Sequence, residues 1–157
     1  MTSRPGHGTT FELYFPVADP KEANEAGPDV PGRGEHLLFV DDEDYLARMG
    51  EALLTRLGYR VSTFTDPEKA LQAFAADPSA FAALVTDLTM PVLKGTDLAC
   101  RARQLRPDLP VILTTGFSGP HELDRARRLG FQRVLEKPFT VDKFVDLLRS
   151  ALASGEG

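Results

Sequence analysis

The chain has one cysteine, Cys100, and no tryptophan. A single thiol excludes an internal disulfide framework. Positive charge is also in short supply: 18 Lys and Arg stand against 23 Asp and Glu, for a formal charge of -5. Nucleic-acid binding draws on clustered Lys and Arg that neutralise phosphates, so a DNA or RNA reader is excluded. No apolar run approaches the roughly 18 to 20 residues of a membrane span. Residues 1–8 are polar and lack the apolar stretch of a secretory signal. The expectation is a soluble, cytoplasmic chain with no nucleic-acid or membrane contact. What is present is 42% apolar residues in 157 positions. That suffices for one core, since single domains cluster near roughly 100 to 150 residues.

Residues 18–34, ADPKEANEAGPDVPGRG, scatter Pro20, Pro28, Pro31, Gly27, Gly32 and Gly34 among charges and hold one large apolar residue, Val30. That composition predicts a linker. Beyond it, short β-like runs alternate with helix-period segments, as in βα units on a parallel sheet. Strands are predicted at His36–Asp41, Arg60–Phe64, Phe81–Thr86, Pro110–Thr115 and Arg133–Glu136. Helix signals lie between them: Gly58 and Gly130 as stops, Asp66-Pro67 as a cap and first turn, and Thr140 as the last cap. The fold class is α/β, a doubly wound five-stranded parallel sheet.

In such a sheet, ligands bind outside the carboxyl ends of the strands. The residues expected there are Asp41 and Asp42, Asp87, Thr115 and Lys137. Clustered carboxylates repel by about 4 kcal/mol for a pair ~4 Å apart at an effective dielectric near 20. Lys137 offsets part of this charge. A Mg²⁺ ion, which takes carboxylates, waters and phosphate oxygens, suits the remainder. Acid, ammonium, hydroxyl and metal together imply phosphoryl transfer, with a carboxylate as nucleophile. Asp87 is the candidate, because the adjacent acids Asp41 and Asp42 are better placed to hold the metal.

These residues resemble the two-component receiver family over about 35–154. LLFVDDE is similar to its acidic-pair strand, which implies metal-site roles for Asp41 and Asp42. LVTDLTMPVLKG resembles its phosphorylation loop, implying an acceptor at Asp87, a backbone carbonyl ligand at Thr89, and the loop's Pro and Gly at Pro91 and Gly95. PVILTTG places the family's switch hydroxyl at Thr115, and EKPF its Lys-Pro pair at Lys137 and Pro138. The resemblance implies a flavodoxin-like strand order of 2-1-3-4-5 and a Mg²⁺ cofactor. It also implies no stand-alone enzyme, although the domain assists its own phosphotransfer. The implied partner is a histidine kinase's phosphohistidine domain or a histidine phosphotransfer protein, docked on the first helix near Tyr45, Arg48 and Ala52. One departure is Val134, where many receivers that drive an output domain carry an aromatic residue.

Residues 1–17 hold a second resemblance. PGHGTTFELYFP is similar to the end of a histidine kinase ATP-binding domain, at Gly6, Gly8, Thr9, Thr10 and Phe11. The family's asparagine and aspartate boxes are absent, and Asn24 is the sole asparagine. The order implied is a kinase tail at 1–17, a linker at 18–34, a receiver at 35–154 and a short tail at 155–157, cut from a hybrid histidine kinase. With no output domain expected after Ser154, any effect passes through a protein partner.

Rival chemistries fit less well. A dehalogenase-type phosphatase needs a second aspartate two residues after the nucleophile, where this chain has Thr89. A flavin site would want hydroxyls after the first strand, whereas Asp41, Asp42, Glu43 and Asp44 repel phosphate. A degenerate receiver would have lost an acid or the lysine. His7, His36 and His121 lack the helical context of a relay histidine, and Cys100 reads as a small structural residue. Arg101, Arg103, Arg106, Arg125, Arg127 and Arg128 suit solvated helix faces as well as docking patches.

Overall fold

The computed structural model describes residues 31–116 and 120–154. The expected tails at 1–17 and 155–157, and the linker up to residue 30, lie outside them. Five βα units follow one another: β1 His36–Val40, α1 Asp44–Arg56, β2 Arg60–Phe64, α2 Pro67–Ala76, β3 Ala83–Asp87, α3 Gly95–Leu105, β4 Val111–Thr115, α4 Pro120–Arg128, β5 Val134–Glu136 and α5 Val141–Ala153. All pairings are parallel and the sheet order is β2-β1-β3-β4-β5, as the sequence implied.

The sheet separates two apolar layers. Leu38, Val40, Leu84 and Leu113 face α2, α3 and α4 through Ala70, Phe74, Leu98, Ala102 and Ala126. Their neighbours Leu37, Phe39, Val85 and Ile112 face α1 and α5 through Leu54, Phe144, Leu148 and Ala151. Successive side chains of a strand point to opposite faces, so a strand covered on both sides must be apolar throughout. β1 and β3 meet that demand.

The helix punctuation follows local chemistry. Asp66 accepts hydrogen bonds from the Glu68 and Lys69 amides, at 2.9 and 3.3 Å, with Pro67 opening α2. Thr140 accepts from the Lys143 amide at 3.3 Å and starts α5. Gly58 and Gly130 have φ of 88° and 84° just past α1 and α4, a left-handed geometry that favours glycine.

β1, β4 and β5 are each one residue shorter than expected, ending at Val40 and starting at Val111 and Val134, and two further differences have a local cause. β3 starts at Ala83 and includes Asp87, instead of spanning 81–86, because Asp77 caps a 3-10 turn at Pro78–Ala80 that delays entry into the sheet. Phe81 instead packs beside the sheet, its ring 5.9 Å from Phe74 and 4.6 Å from His36. The second concerns the end of the expected linker. Gly32 and Gly34 donate to the carbonyls of Leu57 and Gly58 at 2.8 and 2.9 Å. A Cβ on Gly32 would lie 2.7 Å from the Gly58 carbonyl carbon, so the approach requires glycine. These residues belong to the folded unit.

Candidate functional site

The carboxyl edge of the sheet gathers groups from four strands. Asp41 follows β1, and its amide extends the ladder by donating to Phe64 O at 3.1 Å. Asp87 ends β3, Thr115 ends β4, and Lys137 follows β5. The Lys137 ammonium donates to Asp41 Oδ2 at 2.8 Å and to Asp87 Oδ1 at 3.1 Å. The other carboxylate oxygens are held by backbone: Glu43 N donates to Asp41 Oδ1 at 3.0 Å, and Thr89 N to Asp87 Oδ2 at 2.8 Å. Both acids are buried, Asp41 at 2% and Asp87 at 8% exposure. Lys137 precedes Pro138 through a cis peptide bond, and its amide donates to Thr115 O at 2.7 Å.

Burial raises the Asp87 pKa above the usual aspartate value; the Lys137 charge and hydrogen bond and the Thr89 amide oppose that rise, and the Asp41 charge adds to it. Burial lowers the Lys137 pKa, but the hydrogen bond to Asp41 and the charges of Asp87 and Asp41 outweigh it, so the net shift is upward. The ammonium is thus fully charged at neutral pH. Asp87 is a desolvated carboxylate whose proton affinity exceeds that of a free one.

Of the residues singled out by sequence, Asp41, Asp87 and Lys137 meet directly. Thr89 reaches Asp87 through its amide and is exposed, while Thr115 is buried at the same edge. Asp42 is exposed. Among the described residues no three acidic, histidine or cysteine side chains are gathered as a metal-holding group. Adjacent residues leaving a strand point opposite ways, so Asp41 turns inward while its neighbour does not. The donors at this edge are nevertheless all oxygens, two of them carboxylates with lone pairs to spare, which is the chemistry of a hard divalent cation.

The loop after Asp87 is held from both sides. The Gly95 amide donates to Leu88 O at 3.1 Å. A Cβ at Gly95 would lie 2.1 Å from Asp87 O, so only glycine fits beneath the end of β3. Between these points Pro91-Val92-Leu93 forms a γ-turn, with Leu93 N donating to Pro91 O at 2.7 Å and Val92 at φ 68°. A β-branched residue there is strained, by roughly 1 to 3 kcal/mol. Val92 is 91% exposed, between buried Met90 and Leu93.

Sequence reasoning missed how this loop is tied to α4. Lys94 pairs with Glu122, and Arg125 with Asp97 at 2.7 Å, two ion pairs three residues apart on each side. Arg125 is therefore a bridge between helices. Arg103 lies over the Phe131 ring at 4.7 Å, and Arg106 donates to the carbonyls of Pro78 and Phe81. Periodicity reveals only that such residues lie on polar faces, since ion-pair partners from different helices carry no sequence signature. Arg48 pairs with Asp44 at 2.9 Å on exposed α1, beside Tyr45, which is 70% exposed. Val134 is half-buried against the α2, α3 and α4 layer.

Comparisons with known proteins agree with this fold. The model of the "Response regulator receiver domain" matches residues 37–149. "Autoinducer 1 sensor kinase/phosphatase LuxN" of Vibrio campbellii is 31% identical over 162 residues, covering 89% of this chain and 19% of that protein. "Response regulator receiver protein CpdR" of Brucella abortus is 29% identical over 118 residues, covering 75% of this chain and 97% of CpdR. The chain thus spans only about a fifth of LuxN. Among solved structures, a response regulator receiver domain protein from Clostridium thermocellum superposes with a TM-score of 0.74 at 24% identity, over 78% of this chain and 97% of that one. That likeness concerns the fold alone. The non-phosphorylated HemR receiver domain from Leptospira biflexa gives 0.67 at 28% identity, over 76% and 94%. No helix among the described residues is long and apolar enough to cross a membrane.

Proposed function

This chain belongs to the response regulator receiver domain family of two-component signalling, and we propose that Asp87 is its phosphoryl acceptor, loaded from a phosphohistidine. The observation that carries the reading is the Lys137 ammonium shared between two buried carboxylates, at 2.8 Å from Asp41 and 3.1 Å from Asp87. An Asp87 oxygen attacks phosphorus, the phosphorus–nitrogen bond breaks, and its electron pair returns to the donor imidazole. Lys137 neutralises charge on the incoming phosphoryl oxygens, and the Thr115 hydroxyl donates to one of them. The Thr89 amide holds Asp87 in place for attack.

Asp41, Asp87 and the Thr89 carbonyl would hold Mg²⁺, with Asp42 joining from the exposed side of the edge. The ion supplies charge neutralisation for the transferring phosphoryl group. Asp87→Asn tests the assignment. Incubated with acetyl phosphate and Mg²⁺, wild type should gain one phosphoryl group by intact mass and the variant none. Equal uptake by both would refute Asp87.

The partner is a histidine kinase or histidine phosphotransfer protein, docked over α1 around Tyr45, Arg48 and Ala52. All three are exposed, and among the described residues Arg48 pairs with Asp44 of its own helix. Val134 cannot rotate as an aromatic ring does, which suits a relay station better than a self-contained switch.

The domain is a piece of a hybrid sensor kinase in the cytoplasm, with residues 1–17 closing an ATP-binding domain, then a linker from residue 18 whose last residues, Gly32 and Gly34, already dock on the receiver, and a receiver that runs to residue 154. The match to LuxN over 89% of this chain favours it. An antibody raised against the 17.2 kDa chain should then detect a much larger protein in its source cells. A single band at the small mass would refute the hybrid reading.

A further inference from the structure

The amino edge of the sheet, opposite the edge that holds Asp87, has a charge arrangement of its own. Pro110 leads into β4 and Arg133 into β5. Between them and the end of α5 lies a cavity of about 80 Å³, whose walls include Arg103, Asp108, Leu109, Arg133, Ala151 and Ser154. Burial lowers the Arg103 pKa, and the nearby Arg133 charge lowers it further, while Cys100 opposes the shift. Two like charges therefore share one small space. Neither guanidinium is ion-paired among the described residues. The wall also carries the Asp108 carboxylate, but Arg106 already holds it at 3.3 Å.

Both guanidiniums are fixed by uncharged groups. Arg103 lies over the Phe131 ring at 4.7 Å and donates from Nε to Leu109 O at 3.3 Å. Arg133 donates from a terminal nitrogen to Ser154 Oγ at 2.8 Å, and its carbonyl accepts from Leu113 N at 2.9 Å. A guanidinium has five N–H donors, so these bonds leave most of each fork uncommitted among the described residues. Such forks match the oxygens of phosphate or carboxylate, and an anion between them replaces repulsion by attraction on both sides.

Volume and shape narrow the class. Sites for drug-sized ligands and cofactors run to about 300 to 1,000 Å³, whereas one water takes about 30 Å³ of liquid. A space of about 80 Å³ admits only a compact ion. A planar carboxylate presents two oxygens, which a single fork exhausts, whereas a tetrahedral ion presents oxygens to two forks on separate elements. We propose that the cavity between Arg103 and Arg133 is a binding site for one small tetrahedral oxyanion of the phosphate class, separate from the acceptor edge. The bound ion ties α3, the start of β5 and the end of α5 together. Asp87 lies about a strand length away, on the order of 15 Å, and takes no part.

The test uses the full chain with inorganic phosphate and no Mg²⁺, at an ionic strength held constant with sodium chloride. Amide chemical shifts should move saturably at Leu109, Arg133, Ala151 and Ser154 and stay in place at Asp87 and Thr89. The melting temperature should rise as the native state binds the ion. Phosphate at high concentration also stabilises proteins that have no site for it, so the decisive quantity is the difference from the variants. Arg133→Gln should weaken the apparent affinity at least about tenfold, the size expected for hydrogen bonds between charged groups. Arg103→Gln should act likewise, and Arg133→Gln decides alone if loss of the Phe131 contact unfolds the former. Asp87→Asn should bind phosphate as wild type does, which keeps the result independent of the acceptor reading. Shifts that never saturate, that centre on Asp87 and vanish in Asp87→Asn, or that persist unchanged in Arg133→Gln overturn the proposal.

Discussion

Gly95→Ala adds one methyl group at the most crowded point of the site. The new Cβ would stand 2.1 Å from Asp87 O, 2.9 Å from Asp87 C and 3.1 Å from Leu88 Cα, where ordinary contact begins at 3.4 Å. The atoms it meets are backbone on both sides, so no side chain can swing away. The start of α3 and the end of β3 must part by more than about 1 Å, which strains the hydrogen bond from Gly95 N to Leu88 O. Overpacking of this kind costs about 1 to 3 kcal/mol. For a domain of this size that lowers the melting temperature by roughly 4 to 15 °C. The second effect is on chemistry, because Asp87 shifts relative to Lys137. A misplacement near 1 Å can cost on the order of 100-fold in rate. Differential scanning fluorimetry reads the first effect and the initial rate of acetyl-phosphate uptake the second. A variant that melts within a degree of wild type and loads at the same rate would show that the loop yields freely and that the close approach has no consequence.

Asp87→Asn should raise the stability of metal-free protein as well as abolish loading. Burial lifts the Asp87 pKa above its usual 3.8, so its charge destabilises the fold at neutral pH, and that penalty is relieved as pH falls toward 3.8. Denaturant midpoints from pH 7 down to 4 should rise more in wild type than in the variant, and parallel curves would contradict the argument. Lys137 acts in the opposite sense: its raised pKa gives stability fully present below 10.5 and lost as pH climbs through the folded value. Lys137→Met should flatten that alkaline loss. A double-mutant cycle on Lys94 and Glu122 should return a coupling below about 1 kcal/mol, since both side chains are partly exposed and screened. A much larger coupling would mean that the buried Glu122 Oε2 depends on the pair. Charge reversal at Arg48 should slow loading from a phosphohistidine partner and leave acetyl phosphate unaffected, and equal slowing of both would refute docking on α1.

Most strand and helix limits were legible because their causes are local, whereas the strand order came from the family resemblance. The Asp66-Pro67 cap, the Thr140 cap and the glycines at 58 and 130 act within a few residues of chain. A continuous apolar run such as Leu37-Leu38-Phe39-Val40 has one home in a sheet covered on both faces. The convergence of Asp41, Asp87 and Lys137 was legible once the strand ends were known, since the topology brings those ends to one edge. What escaped depends on distant partners. Gly32 and Gly34 read as linker glycines, but they dock on the turn after α1. The Lys94–Glu122 and Asp97–Arg125 pairs join helices whose relative placement no periodicity states. Val92 violates its own conformational preference, held by buried neighbours.

Lys137 and Asp41 lie 96 positions apart yet share a hydrogen bond, and this sets when the charge of the acidic edge is first balanced. A chain leaving the ribosome exposes both acids long before the lysine that balances them. Until β5 joins the sheet beside β4, the edge holds uncompensated negative charge, and a phosphoryl donor approaching it meets repulsion. On the proposed reading of Asp87 as acceptor, a receiver truncated before residue 137, or still being synthesised, takes up phosphoryl groups poorly, and competence arrives only with the last strand.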